Sequence, residues 1–336
     1  MKHIQWGIIG CGDVTEKKSG PAFNKVGNSR LAAVMRRDEA KVRDYARRHR
    51  VTKWYTDARQ LIEDDEINAI YVATPPLYHE EYTLLALHAG KPVYVEKPMA
   101  ICLAAAENML AASRESGSKL SIAHYRRQQP LFKKVKSLLE SDAIGKIRVV
   151  TIKLFQSTQP GLIAQTEANW RVDPQISGGG LFHDLAPHQL DLMLYFFGNP
   201  SKFFGMSLNQ AGRYPADDVV TGHIHFEKDI IFNGVWCFNV SPNDECDKCE
   251  IIGSEGSISF GIFTSQKITV ARNGSEEVFA FDSLEHVQEP MIEAVVKYFL
   301  DEGTNPCAAE EGVQTMRVIE SFTEKQIDGQ SENLKI

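Results

Sequence analysis

The sequence of 336 residues contains no apolar run that approaches the roughly 20 residues of a membrane-spanning helix, so we expect no membrane partner. Basic residues are not in excess: the formal net charge of −7 argues against a nucleic-acid partner, which requires a basic surface. Met1-Lys2-His3 runs directly into a short apolar stretch followed by glycines, so no targeting segment is expected. Six scattered cysteines form no disulfide framework, which makes a reducing cytoplasm the expected location.

Two of these cysteines, Cys246 and Cys249, have a spacing that can bind zinc or form a redox pair. A structural zinc site needs a second pair of ligands, and none with suitable spacing follows. A redox pair would open a helix, whereas this pair runs into the strand-like segment 250–253. We therefore expect the pair to be structural or incidental, and we expect no metal site.

The chain has the composition of an ordinary globular protein, with 43% hydrophobic and 24% charged residues, and its length suits two domains. Residues 1–125 alternate short apolar segments with amphipathic ones, which predicts an α/β domain with a parallel sheet. The predicted strands are Ile4–Ile9, Leu31–Met35, Ala69–Ala73, Val93–Val95 and Leu120–Ala123, and the predicted helices are Glu39–His49, Ala58–Asp64, Glu80–Ala89 and Leu103–Ser116.

Residues 126–336 have a different pattern of predicted secondary structure. Strand-like segments dominate, and in several of them apolar and polar residues alternate. Turn signals such as Glu255-Gly256 and Asn273-Gly274 indicate an α+β domain with a largely antiparallel open sheet. The predicted strands are Ile147–Phe155, Val219–Phe226, Ile230–Val240, Glu250–Ile252, Ser257–Phe260 and Lys267–Ala271, and the predicted helices are Leu131–Ser141, Leu181–Phe197, Val287–Leu300 and Val313–Gln326.

A glycine turn, Gly10-Cys11-Gly12, follows the first predicted strand, and a helix is expected to begin within a few residues. Such a turn lets the backbone approach a pyrophosphate, whose charge lies against the helix N-terminus. The third glycine of the usual fingerprint is Thr15 here, so the motif is incomplete. Because it heads an alternating strand–helix domain, it nevertheless predicts a Rossmann dinucleotide-binding domain. The residues expected at the dinucleotide are Gly10, Gly12, Asp13 and Val14.

The second predicted strand ends in Arg36-Arg37, where folds that prefer NAD usually carry an acidic residue for the ribose hydroxyls. A guanidinium group matches the 2′-phosphate of NADP, whereas a carboxylate would repel it. Asp38 follows the arginines and is better placed to cap the helix that begins near Glu39. We therefore favour NADP, bound by Arg36 and Arg37, over NAD, which remains the alternative if both arginines are simply solvated.

Four further segments carry specific combinations of residues: Ala73-Thr74-Pro75-Pro76 with His79, Val95-Glu96-Lys97-Pro98, Asn169-Trp170-Arg171, and the stretch from Gly178 to Asp191. With the glycine turn, they make essentially the whole chain similar to the family of glucose–fructose oxidoreductases, inositol dehydrogenases and their relatives, the Gfo/Idh/MocA family. This resemblance implies an NAD(P)-dependent oxidoreductase. It also implies further cofactor-binding residues, with His79 beside the nicotinamide pocket: Thr74, Pro75, His79, Glu96 and Lys97.

The predicted catalytic residues are Lys97, Asp184 and His188. Lys97 follows the carboxyl end of a predicted parallel strand, where a cationic lysine can stabilise alkoxide character as a hydride leaves carbon. Asp184 and His188 are four residues apart and share one helix face. We expect His188 to accept the alcohol proton, with a titration near neutral pH, and Asp184 to orient His188 or the substrate.

The wall of the substrate pocket is a second set of predicted residues, because arginine and tryptophan suit a polyhydroxylated or cyclic molecule. The same side chains would serve equally well in packing between the domains. Asp191 is expected to contribute to packing, and His183 is expected to point away from the pocket. Besides Asp184 and His188, the candidates for the wall are Tyr125, Arg126, Arg127, Trp170 and Arg171.

The expected reaction is reversible hydride transfer between a nicotinamide and a hydroxyl- or carbonyl-bearing carbon of a sugar, polyol or cyclic diol. Two alternatives share the fold. One is an NAD-dependent glycosidase, and the other is a non-catalytic dinucleotide-sensing regulator, which need not keep Lys97 and His188. An open sheet covered on one side leaves an apolar face, so we expect a homodimer or homotetramer formed through the C-terminal sheet.

Overall fold

The computed structural model describes residues 2–158 and 169–324, and two β-sheets organise the described chain. The strands of the first sheet are β1 (Ile4–Ile9), β2 (Ser29–Met35), β3 (Lys53–Tyr55), β4 (Ala69–Val72), β5 (Val93–Val95) and β6 (Leu120–Ile122). The helices between them are α1 (Asp13–Lys17), α2 (Glu39–His49), α3 (Ala58–Glu63), α4 (His79–His88) and α5 (Leu103–Ser116).

The first sheet has the order β3-β2-β1-β4-β5-β6, and all of its strand pairs are parallel. Its central strands are buried on both faces, which explains why they appear in the sequence as short, almost wholly apolar runs. The chain crosses between β1 and β4 after the third strand, and a crevice opens at the carboxyl ends of these strands. The predicted Rossmann domain is confirmed.

The second sheet follows helix α6 (Pro130–Glu140) and contains eight strands. They are β7 (Ile147–Ser157), β8 (Pro200–Leu208), β9 (Val219–Phe226), β10 (Ile230–Val240), β11 (Cys246–Gly253), β12 (Gly256–Phe260), β13 (Lys267–Arg272) and β14 (Ser275–Ala280). The remaining helices are α7 (Pro174–Ser177), α8 (Leu181–Phe197), α9 (Glu289–Phe299) and α10 (Ala309–Thr323). Short 3₁₀ turns occupy Gly20–Asn24, Pro76–Tyr78, Tyr125–Gln128, Trp170–Val172, Glu227–Asp229 and Pro242–Asp244.

The order of the second sheet is β14-β13-β12-β11-β7-β10-β9-β8, and only the pair of β7 with β10 is parallel. The predicted, largely antiparallel sheet is therefore confirmed. Trp236 of β10 forms the centre of its covered face, with its ring centroid 5.1 Å from that of Phe182 in α8 and 6.1 Å from that of Phe322 in α10. On the opposite face several large apolar side chains are exposed: Phe204, Met206, Leu208, Ile231, Ile252 and Val278.

The last two helices return to the first sheet although they follow the second in sequence. Phe299 of α9 packs with its ring centroid 5.6 Å from that of Trp6 in β1, and Ser121 of β6 forms a bridge with Ala308. The two parts of the chain are thus packed intimately, and the division between residues 125 and 126 stays a prediction. No helix of the described residues is long and apolar enough to cross a membrane.

Three observed strands, β3, β8 and β14, are absent from the prediction. Each lies at the edge of its sheet and has one neighbouring strand, so it buries less apolar surface than a central strand. The apolar periodicity from which strands are predicted is correspondingly weak at these edges. The predicted helix Val313–Gln326 begins earlier, at Ala309, and its last two residues lie outside the described residues.

Candidate active site

A cleft of about 640 Å³ lies at the carboxyl ends of the central strands of the first sheet and extends to the start of α8. It brings together residues from both parts of the sequence prediction. From the cofactor set, the lining includes Gly10, Gly12, Asp13, Val14, Arg36, Arg37, Thr74, Pro75, Glu96 and Lys97. From the substrate set, it includes Trp170, Arg171 and Asp184.

Gly10 turns the chain at the end of β1 with a φ of +93°, a conformation that side-chain-bearing residues rarely adopt. A Cβ atom there would lie 2.7 Å from Cγ2 and 2.8 Å from the backbone nitrogen of Thr74. The position therefore requires glycine and keeps the backbone open toward the cleft. Thr74 Oγ1, next to this turn, is buried without a hydrogen-bond partner among residues 2–158 and 169–324.

Cationic side chains surround the part of the cleft beyond β2. Arg36 donates from Nη1 to the carbonyl of Cys11 at 3.1 Å, and the Arg37 guanidinium lies 4.7 Å from the ring centroid of Tyr78. A hydrogen bond with Tyr78 raises the pKa of Arg37. Asp38 caps α2 by accepting from the amide of Lys41 at 3.0 Å, as predicted, so its carboxylate is already engaged.

Several residues that line the cleft were not predicted from the sequence, among them Lys41, Tyr78 and Tyr82. Lys41 lies in the first turn of the predicted helix, shortly after the arginine pair. This position could have indicated that its side chain reaches the same part of the cleft. The two tyrosines follow the double proline and carry no sequence signal of their own. Tyr78 ends a 3₁₀ turn, Pro76–Tyr78, that was not predicted, and Tyr82 lies in α4.

Glu96 lies at the end of β5 and is almost wholly buried. Its Oε1 accepts from the Tyr71 hydroxyl at 2.5 Å and from Gln288 Nε2 at 2.6 Å, and its Oε2 accepts from the Lys97 amide at 3.2 Å. Burial and the Glu96 charge raise the pKa of Tyr71 well above its ordinary value, so its hydroxyl remains a donor. Glu96 thus fixes the backbone that carries Lys97.

His79 is fully buried behind the cleft, which corrects its predicted place beside the nicotinamide pocket. Its Nδ1 lies 2.9 Å from the carbonyl of Pro98, and its Nε2 lies 2.8 Å from the carbonyl of Thr74. Burial lowers its pKa. Since both ring nitrogens contact backbone carbonyls, His79 ties the Thr74 loop to the turn after Lys97 rather than facing a ligand.

Lys97 and Asp184 form an ion pair across the two parts of the molecule. Lys97 Nζ donates to Asp184 Oδ1 and to the Asp184 carbonyl, each at 2.7 Å. Arg171 Nε donates to the other carboxylate oxygen, Oδ2, at 3.2 Å. Burial alone would raise the pKa of Asp184, but Lys97 and Arg171 more than offset it and hold that pKa below its ordinary value. The carboxylate is therefore ionised and fixed at both oxygens.

His188 lies one helical turn beyond Asp184 and is buried behind the lining, between the rings of Tyr125 and Phe263. Its Nδ1 has no hydrogen-bond partner within the described ranges. Burial, and then the charge of Lys97, lower the pKa of His188 well below its ordinary value of 6.5. The expected titration near neutral pH is therefore displaced toward acid, and the imidazole is neutral at pH 7.

The predicted wall divides into two groups. Trp170 and Arg171 line the cleft, with the guanidinium of Arg171 4.5 Å from the Trp170 ring centroid. Tyr125 and Arg126 lie behind it, around His188. Arg127 does not belong to the wall: it is 1% exposed and pairs with Asp191.

The buried pair of Arg127 and Asp191 confirms the packing role predicted for Asp191. Arg127 donates from Nη2 to Oδ1 at 2.7 Å and from Nε to Oδ2 at 2.9 Å, and it also contacts Glu311. This pair joins the end of the first sheet to α8 and α10, because the three residues come from three different elements. His183 is buried against Gly179, away from the cleft lining, as predicted.

The cysteine pair lies within strand β11, where residues three apart point to opposite faces. Cys249 is fully buried, which raises the pKa of its thiol, whereas Cys246 is partly exposed. In the described part of the chain no group of three or more His, Cys, Asp or Glu side chains is arranged to hold a metal ion. The expectation that the pair binds no zinc stays a prediction.

Two family models match the chain. Residues 4–124 match the oxidoreductase family with an NAD-binding Rossmann fold, and residues 132–259 match the GFO/IDH/MocA C-terminal domain. Oxidoreductase P35 of Formosa agariphila is 47% identical over 320 residues, which cover 95% of this chain and 98% of that protein. The chain therefore belongs to the GFO/IDH/MocA family and is an NAD(P)-dependent oxidoreductase.

More distant relatives carry specific names. The 1,5-anhydro-D-fructose reductase of Ensifer adhaerens is 26% identical over 258 residues, which cover 76% of this chain and 74% of that protein. The solved structure of levoglucosan dehydrogenase in complex with NADH and levoglucosan superposes with a TM-score of 0.84 at 20% identity, covering 95% of this chain and 96% of that one. At this identity the structural likeness establishes the fold.

Proposed function

We propose that the enzyme transfers a hydride between the nicotinamide and the hydroxyl- or carbonyl-bearing carbon of a sugar, polyol or cyclic diol. The observation that carries this proposal is the pair of Lys97 and Asp184 at 2.7 Å, which closes the cleft between the dinucleotide-binding strands and α8. The names of the two distant relatives, for reactions on 1,5-anhydro-D-fructose and levoglucosan, support this substrate class.

Lys97 is suited to stabilise the substrate oxygen. An ammonium group has three donors, and two of them are used on the carbonyl and carboxylate of Asp184. The third remains for an alcohol or carbonyl oxygen, on which negative charge develops during the reaction. Asp184, held also by Arg171, keeps the ammonium group in place.

His188 completes the proton path in this proposal. Because burial keeps its imidazole neutral, it is already in the form that accepts a proton at pH 7. The bound nicotinamide supplies or accepts the hydride, and the residues of this chain bind, orient and exchange the proton.

A screen of sugars, polyols and diols tests this function directly. Each compound is incubated with the protein and either oxidised NADP or oxidised NAD, and the nicotinamide absorbance is followed. We expect reduction of the cofactor that depends on the carbon substrate. Net hydrolysis with a tightly retained cofactor would identify the glycosidase alternative instead, and dinucleotide binding with no turnover of any compound would identify the regulator.

The cofactor preference is a separate expectation. Arg36, Arg37 and Lys41 surround the cleft beyond β2, while Asp38 is engaged as a helix cap, so these cations would hold the 2′-phosphate of NADP. A charge-assisted contact contributes about 1.5–3 kcal/mol, and Arg36→Asp should therefore weaken NADP binding roughly 10- to 150-fold by calorimetry.

NAD binding should change much less in the same variant, because NAD lacks the 2′-phosphate. Arg59→Asp is a matched control, since it makes the same charge change at an exposed position of α3 outside the cleft. Tighter binding of NAD than of NADP by the unmodified protein would reverse the assignment.

The assembly that we propose is a homodimer or homotetramer formed through the exposed face of the second sheet. Phe204, Met206 and Leu208 of β8 are 62%, 57% and 49% exposed, and contiguous apolar surface of this kind is typical of interfaces. Light scattering at micromolar concentration should give a multiple of the 37.6 kDa chain mass. Phe204→Glu should shift the mass toward that of one chain, and a monomeric unmodified protein would contradict this proposal.

The expected location and the expected small-molecule partner are supported by the composition of the chain and by its free cysteines. All six cysteines are free, which supports a reducing compartment such as the cytoplasm. The net charge of −7 supports a small-molecule partner rather than a nucleic acid.

A further inference from the structure

The carboxylate of Glu96 is buried beside Lys97 without a cationic partner. Glu96 is 6% exposed and belongs to the lining of the cleft. Across residues 2–158 and 169–324, no lysine, arginine or histidine side chain lies within ion-pair distance of it, and the ammonium group of Lys97 pairs with Asp184 instead, at 2.7 Å. A buried charge of this kind is costly, so its presence in the cleft lining calls for a reason.

Neutral groups hold this carboxylate in place. Tyr71 and Gln288 donate to Oε1 at 2.5 Å and 2.6 Å, and the Lys97 amide donates to Oε2 at 3.2 Å. Glu96 accepts all three hydrogen bonds, as an ionised carboxylate does. Gln288 is itself fixed, because its Oε1 accepts from the Tyr94 hydroxyl at 3.3 Å. These contacts orient the carboxylate but leave its negative charge unneutralised.

The charge of Glu96 acts on the groups around it. Burial is the larger cause of the raised pKa of Tyr71 and of Tyr94, and the Glu96 charge is the next cause at both tyrosines. A charge in the protein interior acts through a medium whose effective dielectric constant is far below that of water. It therefore also acts on a charged group in the adjacent cleft, even without direct contact.

The order of the strands places Glu96 at the expected nicotinamide end of the cleft. Gly10 follows β1, Arg36 follows β2 and Glu96 follows β5, in a sheet whose order runs β2-β1-β4-β5. A dinucleotide with its pyrophosphate at the Gly10 turn and its 2′-phosphate near Arg36 extends its nicotinamide to the other side, toward β4 and β5. Glu96 and Lys97 both line that end.

The nicotinamide ring is the part of the dinucleotide whose charge changes in the reaction. The oxidised ring carries a positive charge, whereas the reduced ring is neutral. A carboxylate without a cationic partner attracts the first and has little effect on the second. Asp184 is less suited to this role, because its carboxylate is already engaged with Lys97 and Arg171.

We propose that Glu96 selects the oxidation state of the bound dinucleotide, because its buried charge stabilises the oxidised, cationic nicotinamide relative to the reduced one. The equilibrium on the enzyme consequently lies further toward the oxidised cofactor and the hydroxyl form of the substrate than it would without this charge. The inference rests on the proposed function only in placing the nicotinamide beside Lys97.

Calorimetric titration with oxidised and with reduced NADP tests this role without requiring turnover. The measured quantity is the dissociation constant of the oxidised form divided by that of the reduced form. Glu96→Gln keeps the shape and removes the charge, so this ratio should rise by about tenfold as the oxidised form alone loses an attraction. Glu96→Asp keeps the charge, and its ratio should stay within about threefold of that of the unmodified protein.

Two controls separate this effect from a general disturbance of the cleft. Asp64→Asn removes a carboxylate whose side chain is 10% exposed and which lies in the first domain outside the cleft, so the ratio should not change. Adenosine 2′,5′-bisphosphate lacks the nicotinamide and should bind Glu96→Gln and the unmodified protein equally. Added salt should alter the effect of Glu96→Gln little, because a buried charge is screened much less than an exposed one.

A second pair of variants leaves Glu96 itself in place. Gln288→Lys puts a cation where the amide now donates to Glu96, and neutralising the carboxylate in this way should raise the ratio as Glu96→Gln does. Gln288→Met removes the same hydrogen bond without adding charge, and its ratio should stay close to that of the unmodified protein. This pair decides the question if Glu96→Gln does not fold.

An unchanged ratio in Glu96→Gln would overturn this inference, as would an equal rise in Asp64→Asn, or equal ratios in Gln288→Lys and Gln288→Met if Glu96→Gln does not fold. Failure of the proposed function would look different, because the ratio would still respond to the charge of Glu96 while no compound of the screen reduced the cofactor.

Discussion

Replacing Lys97 by methionine should lower kcat by about 10²–10⁴, the range for losing a positioned acid–base group. Methionine has a similar length but cannot donate a hydrogen bond, so the substrate oxygen loses its donor while the packing is largely kept. Steady-state kinetics at saturating dinucleotide measures the effect. The affinity for the dinucleotide should change far less, because the contacts that we propose for it with the Gly10 turn and Arg36 do not involve the Lys97 side chain.

Lys146→Met serves as the control, because Lys146 is exposed and lies outside the cleft. A Lys97→Met enzyme with kcat within a factor of about three of the unmodified value would remove Lys97 from the chemical step. Its contact with Asp184 would then be a structural ion pair only.

His188→Ala should lower kcat within the same range, and the double variant should lose less than the product of the two single losses, because residues that act as a unit are non-additive. The low pKa of His188 fixes the sign of the pH dependence. Above that pKa the imidazole is neutral and accepts a proton, so kcat should be flat around pH 7. It should fall only in acid, as His188 becomes protonated, and His188→Ala should abolish this acid limb.

Replacing Arg127 by methionine should lower the free energy of unfolding by about 3–5 kcal/mol, since it leaves the buried carboxylate of Asp191 without its partner. Denaturant unfolding followed by circular dichroism measures the change. The double variant with Asp191→Leu should recover much of the loss, because a buried pair replaced by apolar side chains leaves no uncompensated charge.

An exposed pair provides the contrast to this buried one. Arg114 and Glu310 form an ion pair with side chains 64% and 53% exposed, and Arg114→Met should change the free energy of unfolding by about 0–1 kcal/mol. If Arg127→Met were equally mild, the network that joins α8 and α10 to the first domain would not depend on this charge pair.

The residues that we assign to the dinucleotide could be predicted from the sequence because their signals are local. Gly10, Gly12 and the arginines at the end of β2 follow strands whose apolar runs mark them clearly, and parallel topology brings strand ends to one edge. Lys97 is another such strand-end residue. By contrast, the place of Tyr78 in the cleft depends on a short 3₁₀ turn, which apolar periodicity does not reveal.

The residues that we assign to the substrate were less predictable, because long-range packing determines which of their side chains lie near the cleft. Arg126 and Arg127 are adjacent in sequence, yet one faces the surroundings of His188 and the other is buried against Asp191, 64 residues away. His79 was assigned to the cofactor pocket, but its ring is turned inward, where its two nitrogens contact the carbonyls of Thr74 and Pro98. Burial also determines the pKa of His188, and helix periodicity alone does not report burial this deep.

In the proposed reaction, a hydride passes from a carbon of a hydroxyl-bearing substrate to the nicotinamide with the help of Lys97. The most direct measurement uses a substrate from the screen that is deuterated at the reacting carbon, with mass analysis of the reduced cofactor. We expect deuterium at C4 of the nicotinamide in the unmodified enzyme and a rate of transfer lower by about 10²–10⁴ in Lys97→Met. Product formed with no deuterium in the cofactor, or transfer at an undiminished rate in Lys97→Met, would contradict it.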